Sequence, residues 1–421
     1  MDKRTFLKHT SLFGLGTMLQ LNSFGKGSEI AVLHSPNEDV IDDYWERVRK
    51  DYKLKPNIIN LENGYYCIQP EPILKKYFEH IQQVNLLGAF YMRTMQFDNK
   101  KAMVTKLAEV AGCSTEELII TRNTTESLDM IISGLDWKPG DEAVMAEQDY
   151  GAMLDMFKQV SKRHGTKNIV VSVPPNPKTD EEIVELYAKA ITPKTRLLMV
   201  CHMINITGHI LPVKKICEMA HSKGVLVMVD GAHAFAHIRF RVEDLGCDFY
   251  GCSLHKWLST PLGAGMLYLK KEHIGKIWPL FAEAGKKDDD IARLNHTGTI
   301  PVATDLTIAD AIDYYHRIGP EKKEKRLREL QQYWTTKVRQ LDHIVFNSPD
   351  DPNRVCAIGN VGIKGMKPAD MAKTLLEKYR IYTVAIDNDA AGVHGCRITP
   401  NVYTTHEELD ALVAALKEMR G

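Results

Sequence analysis

The sequence predicts an α/β fold, with a large domain built on a mostly parallel sheet flanked by helices and a smaller α+β unit at the C-terminal end. Three observations predict it. Short apolar runs at Glu117–Thr121, Glu142–Ala146, Ile169–Val173, Leu197–Cys201 and Val225–Val229 recur with helical patterns between them, the rhythm of a parallel sheet. The run Val225–Val229 is continuous rather than alternating, which suits a strand covered on both faces. Beyond a charge-rich helix at Glu321–Leu341 the pattern changes to strands at Val355–Val361 and Ile381–Ala385, a helix at Ala369–Tyr379 and a last helix from Thr405. The 421 residues are enough for two domains with ample core.

Composition narrows the function classes. Lys+Arg and Asp+Glu number 54 each, so the formal net charge is zero and nothing recommends nucleic acid or an anionic membrane as a partner. The 16 histidines form no HExxH or His-x-His cluster and no pair of CxxC motifs occurs, so no metal site is expected. The eight cysteines (67, 113, 201, 217, 247, 252, 356 and 396) are scattered through strands and helices, as buried thiols rather than a disulfide framework.

At the N-terminus, Lys3, Arg4 and Lys8 precede the mildly apolar TSLFGLGTMLQL, the charged-then-apolar order of an export signal over residues 1–27. That run is too short to cross a bilayer as a mature helix. The segment Asn60–Pro70, NLENGYYCIQP, carries Asn-Gly and Pro punctuation and reads as a loop, and a helix is expected at Pro72–Leu87. Arg122-Asn123-Thr124-Thr125-Glu126-Ser127 then joins a strand to a helical pattern, with Thr124 and Thr125 as expected caps. A strand, a hydroxyl-rich turn and a helix start together aim backbone N–H groups and the positive end of a helix dipole at an anion. Near the other end, Thr405-His406-Glu407-Glu408 has capping-box spacing, and Leu409, Leu412, Val413 and Leu416 form its buried stripe.

The richest stretch is VLVMVDGAHAFAHIRFRVEDLGCDFYGCSLHKWLSTPLGAGMLYL, residues 225–269. Asp230 ends its first strand, where open α/β sheets place ligands, and Lys256 follows 26 positions later (256 − 230) with Ser253 and His255 before it and the Gly263-Ala264-Gly265 turn after it. A lysine for a Schiff base and a carboxylate to keep a pyridine nitrogen protonated are what pyridoxal 5'-phosphate requires. Lys256 and Asp230 are assigned those roles.

VDGAHA, SLHKWL, TRNTTES, NITG and GCRITPNVYTTHEELD resemble the class V aminotransferase family, the fold-type I pyridoxal phosphate (PLP) enzymes that include cysteine desulfurases and isopenicillin N epimerase. These motifs lie between Thr121 and Asp410. The resemblance implies a segment 28–75 near the active-site mouth, a large cofactor-binding domain at 76–315 and a small C-terminal domain at 316–421. It implies that Thr124 and Thr125 seat the cofactor phosphate with Ser253 and His255, and that Tyr150 stacks over the ring. Asn205 would bond the phenolic oxygen, with His233 on the other side, where relatives often carry glutamine. Arg397 would hold the substrate's α-carboxylate, although an internal salt bridge also explains it. Thr299, in RLNHTGTIP, implies a homodimer in which each subunit touches its neighbour's phosphate. Tyr65 and Tyr66 either touch substrate or pack.

An N-terminus similar to a twin-arginine signal, with Lys3 in place of the first arginine, implies export to the periplasm; without it the chain stays cytoplasmic. The partner expected is a small-molecule substrate, an amino acid or keto acid. Desulfurase chemistry needs a thiol on a mobile loop, whereas Cys396 immediately precedes the carboxylate arginine and Asn388–Gly395 carries no cysteine. Transamination is the first expectation because it needs no second acid on the opposite face of the substrate. Epimerisation and β-elimination are alternatives, as is a non-catalytic amino-acid sensor that has kept the fold.

Overall fold

The apolar runs form strands because they are short, rich in β-branched residues and covered on both faces. In the computed structural model, which describes residues 39–283 and 285–421, Asp42–Gly421 makes one compact unit. The expected export signal lies outside the described residues. In chain order the strands are β1 (Ile59–Asn60), β2 (Leu118–Thr121), β3 (Glu142–Ala146), β4 (Lys167–Val171), β5 (Thr195–Cys201), β6 (Leu226–Asp230), β7 (Phe249–Ser253) and β8 (Gly265–Leu269). They continue with β9 (Ile344–Phe346), β10 (Gly359–Ile363), β11 (Ile381–Tyr382), β12 (Val384–Asn388) and β13 (Val393–Ile398).

Seven strands make the main sheet in the order β2-β8-β7-β6-β5-β3-β4. The neighbours from β7 to β4 run parallel, and β8 is antiparallel to both β7 and β2. This is the mostly parallel sheet the sequence predicted. Its two faces feed separate apolar clusters: Val144, Leu198, Val200, Val227 and Val229 on one side, and Met145, Leu197, Met199, Met228 and Phe249 on the other. Consecutive residues of one strand thus serve opposite faces, which is why the runs are unbroken.

The C-terminal part is a four-stranded antiparallel sheet, β12-β13-β10-β9, packed against the helices Pro368–Tyr379 and His406–Glu418. Two expected strands move. Val355–Ile358 is not strand, and the pairing begins at Gly359; Ile381–Ala385 divides at Thr383, with Ile381–Tyr382 leaving to pair in parallel with Ile59–Asn60. That short pairing ties the loop Asn60–Pro70 to the far end of the chain. Thr405 caps the last helix with both bonds of a capping box, and Leu409, Leu412, Val413 and Leu416 are buried as expected.

Candidate active site

The carboxyl ends of β2, β3, β5, β6 and β7 converge on a cavity of about 360 Å³. Its lining includes Thr124, Thr125, Tyr150, Asn205, Asp230, His233, Ser253, His255, Lys256 and Arg397, ten of the eleven residues singled out in the sequence. Thr299 is the exception, exposed and outside this lining. A larger hollow of about 980 Å³ lies beside it, sharing Arg122, Asn123 and Thr125 but neither Asp230 nor Lys256. Of these two, only the smaller is lined by Asp230 and Lys256 together.

At the turn after β2, the cap of the helix Thr124–Gly134 is Asn123, not Thr124 or Thr125. The extended backbone of Asn123 lets its side chain accept from the Glu126 N–H at 2.9 Å, a bond that residues already inside the helix are not placed to make. Thr124 has another task. Its N–H donates to Ser253 Oγ at 2.9 Å, and the two hydroxyls lie 2.7 Å apart, so the turn after β2 is locked to the end of β7. Gly265 permits this closeness, since a Cβ there would stand 2.7 Å from the Asn123 backbone.

Asp230 is buried at the end of β6, where its Oδ1 accepts the Ala232 N–H at 2.9 Å. Burial raises its pKa, against the Ala232 hydrogen bond and the nearby Lys256. Lys256 is pushed down to about 8 by desolvation, with Asp230 opposing that shift and Arg397 adding to it. Its Nζ lies 3.0 Å from Nε2 of His233, a ring held well below the ordinary histidine range by burial and by Lys256. His255 is lowered to about 4, mainly by burial, and its buried Nδ1 has no hydrogen-bond partner among the described residues.

Arg397 reaches the cavity from β13. Its Nη2 and Nε donate to Glu62 at 2.6 and 3.3 Å, and its Nη1 donates to the Asn205 carbonyl at 3.1 Å. Arg397 thus forms an internal salt bridge and also lines the cavity. Glu62 was not singled out in the sequence, because its partner lies 335 residues away. Tyr65 stands at the mouth, 76% exposed, whereas Tyr66 is not in the lining. Cys396 is turned away, its Sγ directed at the Pro368 carbonyl 3.7 Å off.

The aminotransferase class-V family profile matches residues 72–412. The chain belongs to the class V aminotransferase family. It is 26% identical over 400 residues to the isopenicillin N epimerase of Streptomyces clavuligerus, covering 90% of this chain and 98% of that protein. A probable cysteine desulfurase of Xylella fastidiosa is 27% identical over 412 residues, covering 89% and 95% of the two chains. Among solved structures, the apo cysteine desulfurase of Thermococcus onnurineus superposes with a TM-score of 0.79 at 23% identity, over 89% of this chain and 97% of that one. A C-DES variant with glycine covalently linked to its PLP cofactor gives 0.78 at 20% identity, over 91% and 100%. These likenesses establish the fold as that of fold-type I PLP enzymes.

As a class V enzyme the chain uses pyridoxal 5'-phosphate, and the residues present fit it. A lysine of lowered basicity and a buried strand-end carboxylate share one cavity. Backbone and hydroxyl donors surround the helix start, and His255, whose buried Nδ1 has no hydrogen-bond partner among the described residues, lines the same cavity.

Proposed function

We propose that this class V enzyme transaminates a free α-amino acid, with Lys256 moving the Cα proton and Arg397 holding the α-carboxylate. The observation that carries this reading is one cavity lined together by Lys256, Asp230 and Arg397. When bound, PLP supplies the electron sink that makes the Cα proton acidic. The protein's own part is to hold and move protons. Asp230 keeps a cationic pyridine nitrogen paired, Lys256 accepts and returns the proton, and His233 orients the Lys256 amine from 3.0 Å. Thr124, Thr125, Ser253 and His255 would take the phosphate end, Tyr150 the ring face, and Asn205 and His233 the phenolic oxygen.

Desulfuration finds little support. Cys201 lines the cavity, but it is fixed at the end of β5 and its thiol is held well above the ordinary range by burial and by Asp149 and Asp230. Thiolate, not thiol, is the reactive form. Epimerisation is the second reading, favoured by the likeness to isopenicillin N epimerase over 98% of that protein and by an exposed tyrosine, Tyr65, at the cavity mouth.

Incubation with single L-amino acids in deuterium oxide, without keto acid, tests the reading. Transamination converts the cofactor to its amine form and stops after one turnover. Sustained deuterium exchange at Cα without that conversion would transfer the assignment to epimerisation, and continuous release of pyruvate or ammonia to elimination.

A homodimer is part of the proposal. Thr299 is exposed outside its own cavity lining, and Leu262, Trp278 and Phe281 are exposed apolar side chains beside the two hollows. Such patches mark protein contacts. Export through residues 1–27 is proposed on the sequence alone; retention of a reporter fused to those residues in the cytoplasm would remove it.

A further inference from the structure

Arg397 can serve as a carboxylate clamp only if its guanidinium presents the correct edge to the cavity. The group carries five N–H donors in a planar fork. Three are engaged by described residues: Nε and one Nη2 hydrogen by Glu62, and one Nη1 hydrogen by the Asn205 carbonyl. Two remain, one on each terminal nitrogen, enough for a two-pronged contact with a carboxylate.

Glu62 is well placed to decide this. It is buried and paired with Arg397 across a contact in which both side chains are less than a tenth exposed, yet it is absent from the cavity lining that contains Arg397. Its backbone is pinned on both sides. The Leu61 carbonyl accepts from the Thr399 N–H at 2.8 Å, and Asn63 is bonded to Thr399 through its own N–H at 2.6 Å and its side chain at 2.8 Å. Glu62 Oε1 also accepts the Tyr65 N–H at 2.9 Å. Gly64 lies flat on the guanidinium, where a Cβ would stand 2.5 Å from Cζ. These contacts fix the place of the Glu62 carboxylate against the guanidinium.

We propose that Glu62 is the positioning residue of the carboxylate site, holding the Nε/Nη2 edge of Arg397 so that the Nη1/Nη2 edge is offered to an α-amino acid. The inference rests on the reading of Arg397 given above. It assigns Glu62 no contact with the reacting atoms. Without Glu62, the guanidinium would keep its charge but lose the fixed orientation that makes a two-pronged contact specific.

The test is absorbance titration of the holoenzyme with alanine and with ethylamine, which is alanine without its carboxylate. Wild type should bind alanine more tightly than ethylamine. Glu62→Gln should weaken alanine by about tenfold, the scale of one charged hydrogen bond, and leave ethylamine unchanged. Glu62→Asp, which retains the charge, should recover part of the loss. Gly64→Ala forces the guanidinium out of place with Glu62 intact and should reproduce the alanine defect if Glu62→Gln fails to fold. A Glu62→Gln enzyme that binds alanine as well as or better than wild type would overturn the proposal and make Glu62 a competitor for the clamp or a bystander. A wild type indifferent to the carboxylate would overturn the reading of Arg397 itself, and the proposal with it.

Discussion

Nε2 of His233 lies 3.0 Å from Nζ of Lys256, and Nδ1 of the same ring accepts from the Trp257 indole N–H at 3.5 Å. The indole bond puts the imidazole proton on Nε2, since a neutral ring carries only one. Trp257 is in turn stacked on His237, with ring centroids 3.6 Å apart, and its carbonyl accepts from the buried Lys323. Lys256 therefore faces a neutral, oriented ring rather than a second cation, and burial lowers its own pKa to about 8.

Lys256→Ala should abolish both the borohydride-trapped cofactor and turnover. Peptide mapping of reduced wild-type protein checks the attachment point, and a label on any other lysine removes Lys256 from this role.

The pKa of about 8 at Lys256, below the ordinary 10.5, sets two pH dependences. The neutral amine attacks the cofactor, so capture of PLP by cofactor-free protein should speed up as pH rises through about 8 and level off above it. In the same protein, the unfolded chain holds the Lys256 proton more tightly than the folded one, so burial of this amine costs stability below about pH 8, and the cost fades towards 10.5. Cofactor-free Lys256→Met should melt above wild type at pH 7 and approach it at pH 10; an unchanged gap across that range contradicts the assignment.

Asp230→Asn should leave the fold and the covalent link to Lys256 in place but slow Cα deprotonation, on the order of 100-fold, since a neutral amide does not stabilise the ring's positive charge. Single-turnover rates with deuterated substrate read this step directly. Turnover at the wild-type rate removes Asp230 from the mechanism.

Arg397→Ala should act twice. It should weaken amino-acid binding, and it should also destabilise the protein by about 3 kcal/mol because Glu62 is left buried and unpaired. Denaturant unfolding should recover much of that loss in the double variant Glu62→Gln, Arg397→Ala. A simply additive double variant would mean that the two residues do not stabilise one another.

Much of this site was legible because its parts are local. Asp230 and Lys256 each sit at the end of a recognisable run, and the helix start after β2 announces itself through hydroxyls and amides within six residues. What escaped was either a choice between adjacent candidates or a long-range contact. Asn123 rather than Thr124 became the cap because Thr124 was drawn to Ser253, a partner 129 positions away. The strand at Ile381–Tyr382 broke from its neighbour because Ile59–Asn60 offered a better partner, and no period in either segment records that pairing. Glu62 belongs with these: a carboxylate in a polar loop looks solvated until its arginine is placed.

The contacts Ile59–Ile381, Leu61–Thr399 and Glu62–Arg397 join segments far apart in the sequence. On a ribosome, Arg397 emerges 141 residues after Lys256 (397 − 256), roughly ten seconds later at about 5–20 residues per second. β6, which carries Asp230, and β7, which leads into the turn of Lys256, can pair in that interval, whereas Glu62 must wait for its partner to be made. Contacts of such separation close late in folding. The turn that carries Lys256 thus precedes, in synthesis and in folding, the Glu62–Arg397 pair that lies against the same cavity.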